Sequence, residues 1–476
     1  MWKPSDRIQW QSHAPAASAA AADSPLFRPV TVNRFALKTR SWYPAVVSWR
    51  ASEDGHVTPS TLAWYRRIAM GRPGAIVVEA AGIRDIPSGP LLRLSHDRYV
   101  AGMAELVATI RQASGGETKV FVQLIDFLNI RRRPEPDRFL TRFLVITDRH
   151  RALLGETDDT IIRDRLKNMS RAELETILDL REREALDYGA RERITDVHLP
   201  WIKDLPDVLP DLFANAALRA RDAGFDGVEL HYAHAYTMAS FLSALNTRGD
   251  GWGQTREGRV RLAEAVLDSV RGRVGPDYPV GCRLLAEECI AGGSTVEDAA
   301  WFSGRLAARG LDFLSLSRGG KFEDALQPRV GEAAYPYTGP SGYECIPHAI
   351  SDSFGPFGRN AKASRFIRAQ LRSAGFDTPV ICAGGVHTVE MAETMLADGT
   401  SDVVASARQF MADPDWLLKA RAGRADSMRV CKYTNYCEGL DQKHKAVTCR
   451  LWDRTALNSP DTRLCADGKR RLEAPV

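Results

Sequence analysis

Three titratable side chains follow one short apolar run, in the stretch "DGVELHYAHAYTM". His231, His234 and Tyr236 stand within six residues, directly after Val228 and Leu230. Two neutral imidazoles can each donate an N–H to one oxygen and stabilise negative charge that develops there, and a nearby phenol can deliver a proton to a reacting carbon. A single buried histidine is more often a hydrogen-bonded core residue, so the cluster carries the prediction. The chemistry it predicts is the reduction of an activated alkene, once a hydride donor is supplied.

Eight short apolar runs recur along the chain, each followed by a polar or glycine-rich stretch and then a helical pattern. Several runs are continuously apolar, which is typical of strands buried on both faces of a parallel sheet. Eight such units predict an α/β fold, a closed (β/α)8 TIM barrel, whose strands point their carboxyl ends at the site. A doubly wound open sheet is the alternative, but no G-x-G-x-x-G follows the first strand. The predicted strands are residues 42–47, 75–80, 119–124, 227–231, 280–285, 313–317, 380–383 and 403–407.

The pattern of elements divides the chain into four parts. Residues 1–24, rich in Ala, Ser and Pro, read as a flexible arm, and residues 25–430 form the predicted barrel. Residues 129–205, after the third strand, carry dense mixed charge and are predicted to be a solvated helical insertion, a lid or a subunit contact. Ser170 and Glu173 have capping-box spacing and predict a helix start within it. Residues 431–476 form a cysteine-containing extension.

Composition excludes several classes of protein. The 476 residues are 44% hydrophobic, and 64 basic against 60 acidic residues give a net charge of only +4, so neither nucleic acid nor a membrane surface is an expected partner. No apolar stretch approaches the length of a transmembrane helix. Eight cysteines in so long a chain do not predict a disulfide scaffold. We therefore expect a cytoplasmic protein with a small-molecule substrate, and a homo-oligomer.

The sequence resembles the old yellow enzyme family, the FMN-dependent ene-reductases. The resemblance runs from about residue 25 to about residue 424, without the insertion, and is tightest in "AGFDGVELHYAHAYTMASFLSALNTRGDGWG". It implies a barrel that binds FMN and uses NAD(P)H as the reductant. It also implies that His231 and His234 bind the carbonyl oxygen of the substrate and that Tyr236 is the proton donor. A metal-binding histidine pair is the competing interpretation, but no carboxylate completes a ligand set.

The same resemblance assigns flavin contacts residue by residue. Arg283 in "VGCRLL" would face the N1/O2 edge of the flavin, where a cation stabilises the reduced anion, and Gln123 in "VFVQLI" would read the pyrimidine ring. Glycines and an arginine after the seventh and eighth strands would hold the phosphate, as in other barrels. The implied cofactor-binding residues are Pro44, Ala45, Val47, Ala80, Gln123, Arg283, Gly384, Gly385, Ala407 and Arg408.

The cysteine segment "CKYTNYCEGLDQKHKAVTC" resembles the 2,4-dienoyl-CoA reductase and trimethylamine dehydrogenase branch, which carries a 4Fe–4S cluster on four cysteines. This chain has Cys431, Cys437 and Cys449, with Thr434 or a neighbour where another cysteine stands in that branch. Three thiolates and a fourth ligand could hold a cluster, or with His444 a zinc ion. A segment that packs without metal is the favoured alternative.

Two further departures from the family bear on chemistry. Val47 stands where the family has a polar residue near the flavin N5 atom, and Asp126 follows Gln123 where a histidine is usual. An acidic residue at the mouth would exclude anions or bind a cationic group. Tyr335, Tyr337 and Tyr343, in an irregular segment after the sixth strand, suggest a substrate wall. Because the sequence stops near residue 476, we expect it to lack the additional nucleotide-binding domains of the large members.

These observations define three functional hypotheses. The first is an FMN-dependent NAD(P)H oxidoreductase that reduces the C=C bond of an α,β-unsaturated carbonyl compound or thioester. The second is a flavin-dependent amine dehydrogenase, favoured by Asp126 and the tyrosine-rich loop. The third is a non-catalytic flavin-binding partner protein that acts through its insertion.

Overall fold

Eight parallel strands close into a barrel in the computed structural model, which describes residues 24–86, 88–319, 328–333, 357–441 and 443–453. Strands β3 to β10 follow one another around the barrel, and β10 pairs with both β9 and β3. The predicted (β/α)8 barrel is confirmed. The ten strands of the described residues are β1 Val30–Val32, β2 Phe35–Leu37, β3 Ser41–Tyr43, β4 Ala75–Gly82, β5 Lys119–Ile125, β6 Gly227–Tyr232, β7 Val280–Leu285, β8 Leu314–Ser317, β9 Val380–Ala383 and β10 Val403–Ala405.

The predicted strand positions hold, except that the first and the last barrel strands end earlier than predicted. The last strand, predicted over residues 403–407, ends at Ala405, and Ala407 begins a helix. The sequence predicts a strand over residues 42–47, whereas β3 ends at Tyr43. Pro44 has no N–H to donate to a ladder and so ends the pairing. Residues 44–47 are therefore a loop at the mouth of the barrel, which suits a position beside a ligand. The predicted arm at residues 1–24, all but its last residue, the wall tyrosines Tyr335, Tyr337 and Tyr343, and the chain after residue 453 lie outside the described residues.

Aromatic rings fill the barrel interior near the amino ends of the strands. Trp42 stacks on Phe121 at 5.1 Å between ring centroids, and Phe313 packs against both rings. Phe35, from the antiparallel hairpin of β1 and β2, covers this cluster edge-on. The filled lower half leaves only the carboxyl end of the barrel open to a ligand.

Helices surround the barrel and alternate with its strands. The helix Arg256–Val274 ends at Gly275, with φ of 87°, after two basic residues, as its sequence predicts. None of the helices in the described ranges is long and apolar enough to span a membrane. The helices outside the insertion are Pro59–Met70, Val100–Ala113, Leu205–Asp222, Thr237–Leu242, Arg256–Val274, Val296–Ala308, Ala361–Ser373, Val389–Ala397, Ala407–Ala412, Trp416–Arg421, Tyr436–Asp441 and Arg450–Asp453.

The insertion after β5 is helical, but it is not simply a solvated charged element. Its apolar residues form a hydrophobic cluster of their own, which includes Leu140, Ile162 and Leu166. The predicted capping box of Ser170 and Glu173 is present, with the Ser170 hydroxyl accepting from the Glu173 N–H. The helices are Pro136–Arg138, Asp148–Leu154, Asp159–Asn168, Arg171–Ile177, Leu180–Tyr188 and Pro200–Lys203, with a π-helical turn at Phe139–Phe143. Even charge mixing concealed these apolar positions, because the helices are short and each contributes few of them.

One buried arginine ties the end of the insertion to the barrel. Arg248 donates to the carbonyl oxygens of Ile194, Ile202 and Lys203 at 2.9 to 3.0 Å and pairs with Asp250. Its side chain is fully buried. The planar fork of a guanidinium can satisfy several carbonyls at once, which a lysine could not.

Replacing Arg248 with methionine is expected to loosen the insertion selectively. Three carbonyl groups would lose the hydrogen bond from Arg248, so the segment around residues 194–203 would open more often than the barrel. Limited proteolysis should then cut first within this segment. Lys203→Met is the matched control, because only the main chain of Lys203 takes part in the contact. Equal cleavage of the two variants would contradict the anchoring role.

Candidate active site

A cavity of about 640 Å³ opens at the carboxyl ends of the barrel strands. Its size is typical of sites for small molecules and cofactors. Every residue that the sequence predicts as catalytic or cofactor-binding lines this cavity. These residues are Pro44, Ala45, Val47, Ala80, Gln123, His231, His234, Tyr236, Arg283, Gly384, Gly385, Ala407 and Arg408.

The two histidines lie side by side and are hydrogen-bonded to each other. His231 Nε2 is 3.2 Å from His234 Nδ1, and His234 Nε2 is 2.7 Å from the hydroxyl of Ser317 at the end of β8. His231 Nδ1 accepts a hydrogen bond from the N–H of Ala233. An imidazole nitrogen that accepts carries no proton, so a neutral His231 must hold its proton on Nε2. That proton points at His234 Nδ1, which leaves the proton of His234 on Nε2.

The rings therefore act in series rather than as two parallel donors. The outward donor is His234 Nε2–H, and His231 supports it from behind. Ser317, which the sequence reasoning missed, is the present partner of that donor. A ligand oxygen that binds there would compete with the Ser317 hydroxyl.

A strained turn sets the position of His234. His234 and Ala235 have φ values of 58° and 53°, in the left-handed region that non-glycine residues seldom adopt. The turn separates β6 from the helix Thr237–Leu242 and folds the His234 ring back toward His231. Strain of this kind persists where the surrounding structure holds it, and it is common at functional sites.

Tyr236 packs beside this pair. Its ring meets His231 edge-to-face, with the centroids 5.2 Å apart, and meets Phe127 in the same way at 5.4 Å. Burial raises the pKa of the phenol, and the negative charges of Asp441 and Glu438 raise it further. The hydroxyl therefore keeps its proton well into the alkaline range.

Burial lowers the pKa of His231 to about 3, and the charge of Arg283 acts in the same direction. The unfolded chain binds a proton at this residue below pH 6.5, whereas the folded chain does not, so the contribution of His231 to stability falls as the pH falls. Between pH 7.5 and pH 5.0 this amounts to about 2 kcal/mol.

We expect His231→Gln to lose less stability in acid than the wild-type protein does. Urea unfolding at the two pH values should give an acid-induced loss that is smaller in the variant by about 2 kcal/mol. Comparing the acid-induced loss of the variant with that of the wild-type protein cancels the contributions of the other groups that titrate in this range. Equal losses in the two proteins would contradict a neutral, buried His231.

The floor of the cavity is a buried polar network across neighbouring strands. Gln123 Nε2 on β5 donates to Glu229 Oε1 on β6 at 2.6 Å, and Arg283 Nη1 on β7 donates to the Ser315 hydroxyl on β8 at 2.8 Å. Burial raises the pKa of Glu229, while Arg283 opposes this rise through its charge. The sequence reasoning missed Glu229, although Glu229 and His231 are two residues apart and therefore lie on the same face of β6.

Another buried carboxylate holds the loop after β3. Glu79 on β4 accepts from the N–H and the hydroxyl of Ser48 at 2.7 and 2.6 Å. Burial raises the pKa of Glu79 to about 7. These contacts hold the end of the loop that carries Val47, whose side chain lines the cavity.

The ends of β9 and β10 present groups that suit a phosphate. Gly384 and Gly385 have φ values of 125° and 76°, and a Cβ on Gly384 would lie 2.6 Å from the side chain of Asn360. A glycine is therefore required there. Arg408 lines the same cavity, where it donates to Asn435 Oδ1 at 3.0 Å and lies over the ring of Tyr433. A glycine pair that lines the cavity beside a buried arginine fits an anionic phosphoryl group.

The cysteine segment forms one wall of the cavity. Tyr433, Cys437, Glu438, Asp441 and His444 all line it. The His444 ring stacks on Trp49 at 4.1 Å, and Trp49 Nε1 donates to Asp441 at 2.7 Å. Sequence reasoning placed this segment in an extension after the barrel, because nothing local indicates where a chain end docks.

The structure gives the metal hypotheses no assembled site. Within the described ranges, no group of three or more His, Cys, Asp or Glu side chains is arranged to hold a metal ion. Burial raises the pKa of the Cys431 and Cys437 thiols, and the Cys431 sulfur accepts the N–H of Tyr433. Cys449 packs against the same small cluster. Whether the segment binds iron or zinc stays a prediction.

Asp126 does not have the role proposed for it from the sequence. Its carboxylate is 1% exposed and forms a bidentate pair with Arg84, at 2.5 and 2.9 Å. It is absent from the cavity lining. The expectation of an acidic group at the mouth was wrong for this residue, because Arg84, 42 positions earlier in the chain, covers it.

The fold and the cavity together define a class: a (β/α)8 barrel whose open end could hold a phosphorylated planar cofactor beneath a His–His–Tyr cluster. Comparison with known proteins agrees. The model of the NADH:flavin oxidoreductase / NADH oxidase family matches residues 209–427. An NADH oxidase of Thermoanaerobacter brockii is 27% identical over 412 residues, which is 85% of this chain and 52% of that protein.

Two further matches differ in how much of their own length this chain covers. An NADPH dehydrogenase of Bacillus subtilis (strain 168) is 26% identical over 82% of this chain and 92% of its own length. The solved structure of a histamine dehydrogenase from Rhizobium sp. 4-9 superposes with a TM-score of 0.61 at 21% identity, over 90% of this chain and 52% of that one. The chain thus spans about half the length of some relatives and nearly all of others.

Residues 209–427 thus match the NADH:flavin oxidoreductase / NADH oxidase family, and the chain is similar to these relatives over most of its length. The resemblance to old yellow enzymes that the sequence indicated is confirmed.

Proposed function

We propose that this protein uses NAD(P)H to reduce the activated C=C bond of an α,β-unsaturated carbonyl compound or thioester. The observation that carries the proposal is the convergence of His231, His234 and Tyr236 on the cavity whose floor is Gln123 and Arg283. An imidazole N–H donor, a protonated phenol and a fixed cation lie in one pocket. This set serves carbonyl polarisation, proton delivery and stabilisation of a reduced flavin.

The residues that would hold FMN lie at two ends of the cavity. Gln123 and Arg283 would contact the ring system. The phosphate would be bound by Gly384, Gly385 and Arg408. When bound, FMN would supply the hydride chemistry between NAD(P)H and the substrate. Small or apolar residues would border the ring, and these are Pro44, Ala45, Val47, Ala80 and Ala407.

The protein groups then divide the remaining work. His234 Nε2–H, supported by His231, donates to the carbonyl oxygen of the substrate and stabilises the negative charge that develops there. The Tyr236 hydroxyl gives its proton to the α-carbon and regains one from solvent. Trp49 and His444 cover the side of the cavity and help to exclude water.

The visible spectrum of the purified protein tests the proposal. We expect absorption near 450 nm, either as purified or after FMN is added, bleaching by NADPH or NADH without oxygen, and recovery on adding an enone such as 2-cyclohexenone. A protein that stays colourless with FMN would end the proposal. A flavoprotein that NAD(P)H reduces, but that no enone or unsaturated thioester reoxidises, would end the C=C assignment alone.

Amine oxidation is the second candidate. Glu438 and Asp441 line the cavity beside the Trp49–His444 stack, and carboxylates with aromatic faces suit a cationic substrate. Bleaching of the flavin by an amine such as dimethylglycine or histamine, without NAD(P)H and without a response to enones, would favour it. A flavin that responds to neither NAD(P)H nor any substrate would favour the non-catalytic partner hypothesis.

A further inference from the structure

Glu229 is a buried carboxylate to which the proposed chemistry gives no role. It lies on β6 two residues before His231 and is fully buried. Gln123 pairs with it in the register of β5 and β6, while Arg283 pairs with His231 in the register of β6 and β7. The carboxylate thus lies one level below the histidines and between the two residues proposed to contact the flavin ring.

The contact with Gln123 determines which way that amide points. A carboxylate only accepts hydrogen bonds, so the amide must turn its NH₂ group toward Glu229 Oε1, 2.6 Å away. The carbonyl oxygen of Gln123 is then left for the cavity. A planar ring that presents an N–H, as the pyrimidine part of FMN does, would meet an acceptor there rather than a donor.

Glu229 also influences Arg283 through its charge, because the two side chains are buried on the neighbouring strands β6 and β7. Both groups are buried, and the carboxylate charge favours the protonated form of the arginine while the arginine favours the ionised carboxylate. Arg283 is also held by Ser315 from the next strand. The cavity floor therefore carries a compensated cation, whose field at the ring is weaker than that of an isolated arginine.

We propose that Glu229 is a positioning residue, which orients the Gln123 amide toward FMN and sets how strongly Arg283 favours the reduced flavin. This inference rests on the proposed function, because it concerns the same cavity and cofactor. Its consequences appear in FMN affinity and in midpoint potential, which are measured without turnover.

Two substitutions separate the two parts of this role. Glu229→Gln removes the charge with little change of shape, so Arg283 would favour the reduced anion more strongly. We expect the ratio of affinities for reduced and oxidised FMN to rise at least tenfold, which moves a two-electron potential by about 30 mV in the positive direction. Glu229→Asp keeps the charge but shortens the reach to Gln123. Its FMN affinity should fall about tenfold, with a potential close to that of the wild-type protein.

Glu264→Gln is the matched control, because Glu264 is also a buried carboxylate paired with arginines, Arg305 and Arg309, but lies on a helix outside the barrel. It should change neither quantity. An unchanged potential in Glu229→Gln, or wild-type FMN affinity in Glu229→Asp, would overturn the inference. If Glu229→Gln does not fold, the affinity of Glu229→Asp decides alone. A wild-type protein that binds no FMN would instead remove the proposed function.

Discussion

Tyr236→Phe is expected to lower the rate of C=C reduction by about 10²–10⁴-fold while flavin reduction by NAD(P)H stays near the wild-type rate. The phenol would supply a proton only to the substrate carbon, so only the second half of the catalytic cycle depends on it. Its ring packing against His231 and Phe127 remains in the variant. Stopped-flow absorbance at the flavin band, recorded separately for the two half-reactions, measures both rates.

Tyr232→Phe is the control for this experiment. Tyr232 lies four residues earlier, and its hydroxyl donates to the Ala263 carbonyl at 3.1 Å, outside the cavity. Its variant should lose some stability and keep both rates. Equal slowing of the two half-reactions by Tyr236→Phe, or no slowing, would contradict the proton-donor role.

The same assignment has a pH dependence. Burial, with Asp441 and Glu438 nearby, raises the pKa of Tyr236, so the donor stays protonated as the pH rises through the alkaline range. The oxidative half-reaction of the wild-type protein should therefore keep its rate at least to the ordinary tyrosine pKa of about 10. Loss of rate at lower pH would indicate a different donor.

Arg283→Leu is expected to be the most disruptive single change at the cofactor end of the cavity. It removes the cation at the ring and also the nearby positive charge that favours the ionised form of Glu229. Leaving a buried carboxylate without a compensating charge can cost up to about 3–5 kcal/mol. We expect the variant to be purified without flavin and to unfold at a markedly lower urea concentration.

The apoprotein must be used for the stability measurement, because bound FMN would itself stabilise the wild-type protein. The double variant Arg283→Leu with Glu229→Leu is the informative companion. Replacing both charges with apolar side chains should recover most of the lost stability, since no buried charge is left alone, but not flavin binding. A double variant as unstable as the single one would show that the two side chains do not compensate each other.

Tyr236 and Arg283, which these two predictions concern, were both indicated by the sequence. They could be indicated because the signals for them lie in short stretches of the chain. Periodicity marked the strands, and the chemistry-bearing residues stand where each apolar run ends. In a parallel barrel all the carboxyl ends of the strands meet at one face. His231 could therefore be placed at that face from the pattern, and the family resemblance implied that Gln123, Arg283 and Gly384 lie there with it.

The expectations that the structure contradicts are those that depend on contacts between distant parts of the chain. Asp126 was expected at the mouth, but Arg84 pairs with it and buries it. The insertion was expected to be solvated, but it has its own hydrophobic cluster. The helix start at Ser170 was predictable, because a capping box lies within four residues.

Short-range patterns, repeated eight times, were enough to predict the barrel and the end of it that carries the site, and the family resemblance added the residues that line the cavity. How those residues pair with one another became visible only in the folded chain. The contact of His234 with Ser317, the hydrogen bond of Gln123 to Glu229 and the hydrogen bond from the Val447 N–H to the Ser48 carbonyl all join residues far apart in the chain. Contacts of this kind cannot be predicted from periodicity, because each involves only one pair of groups and forms only when the barrel has closed.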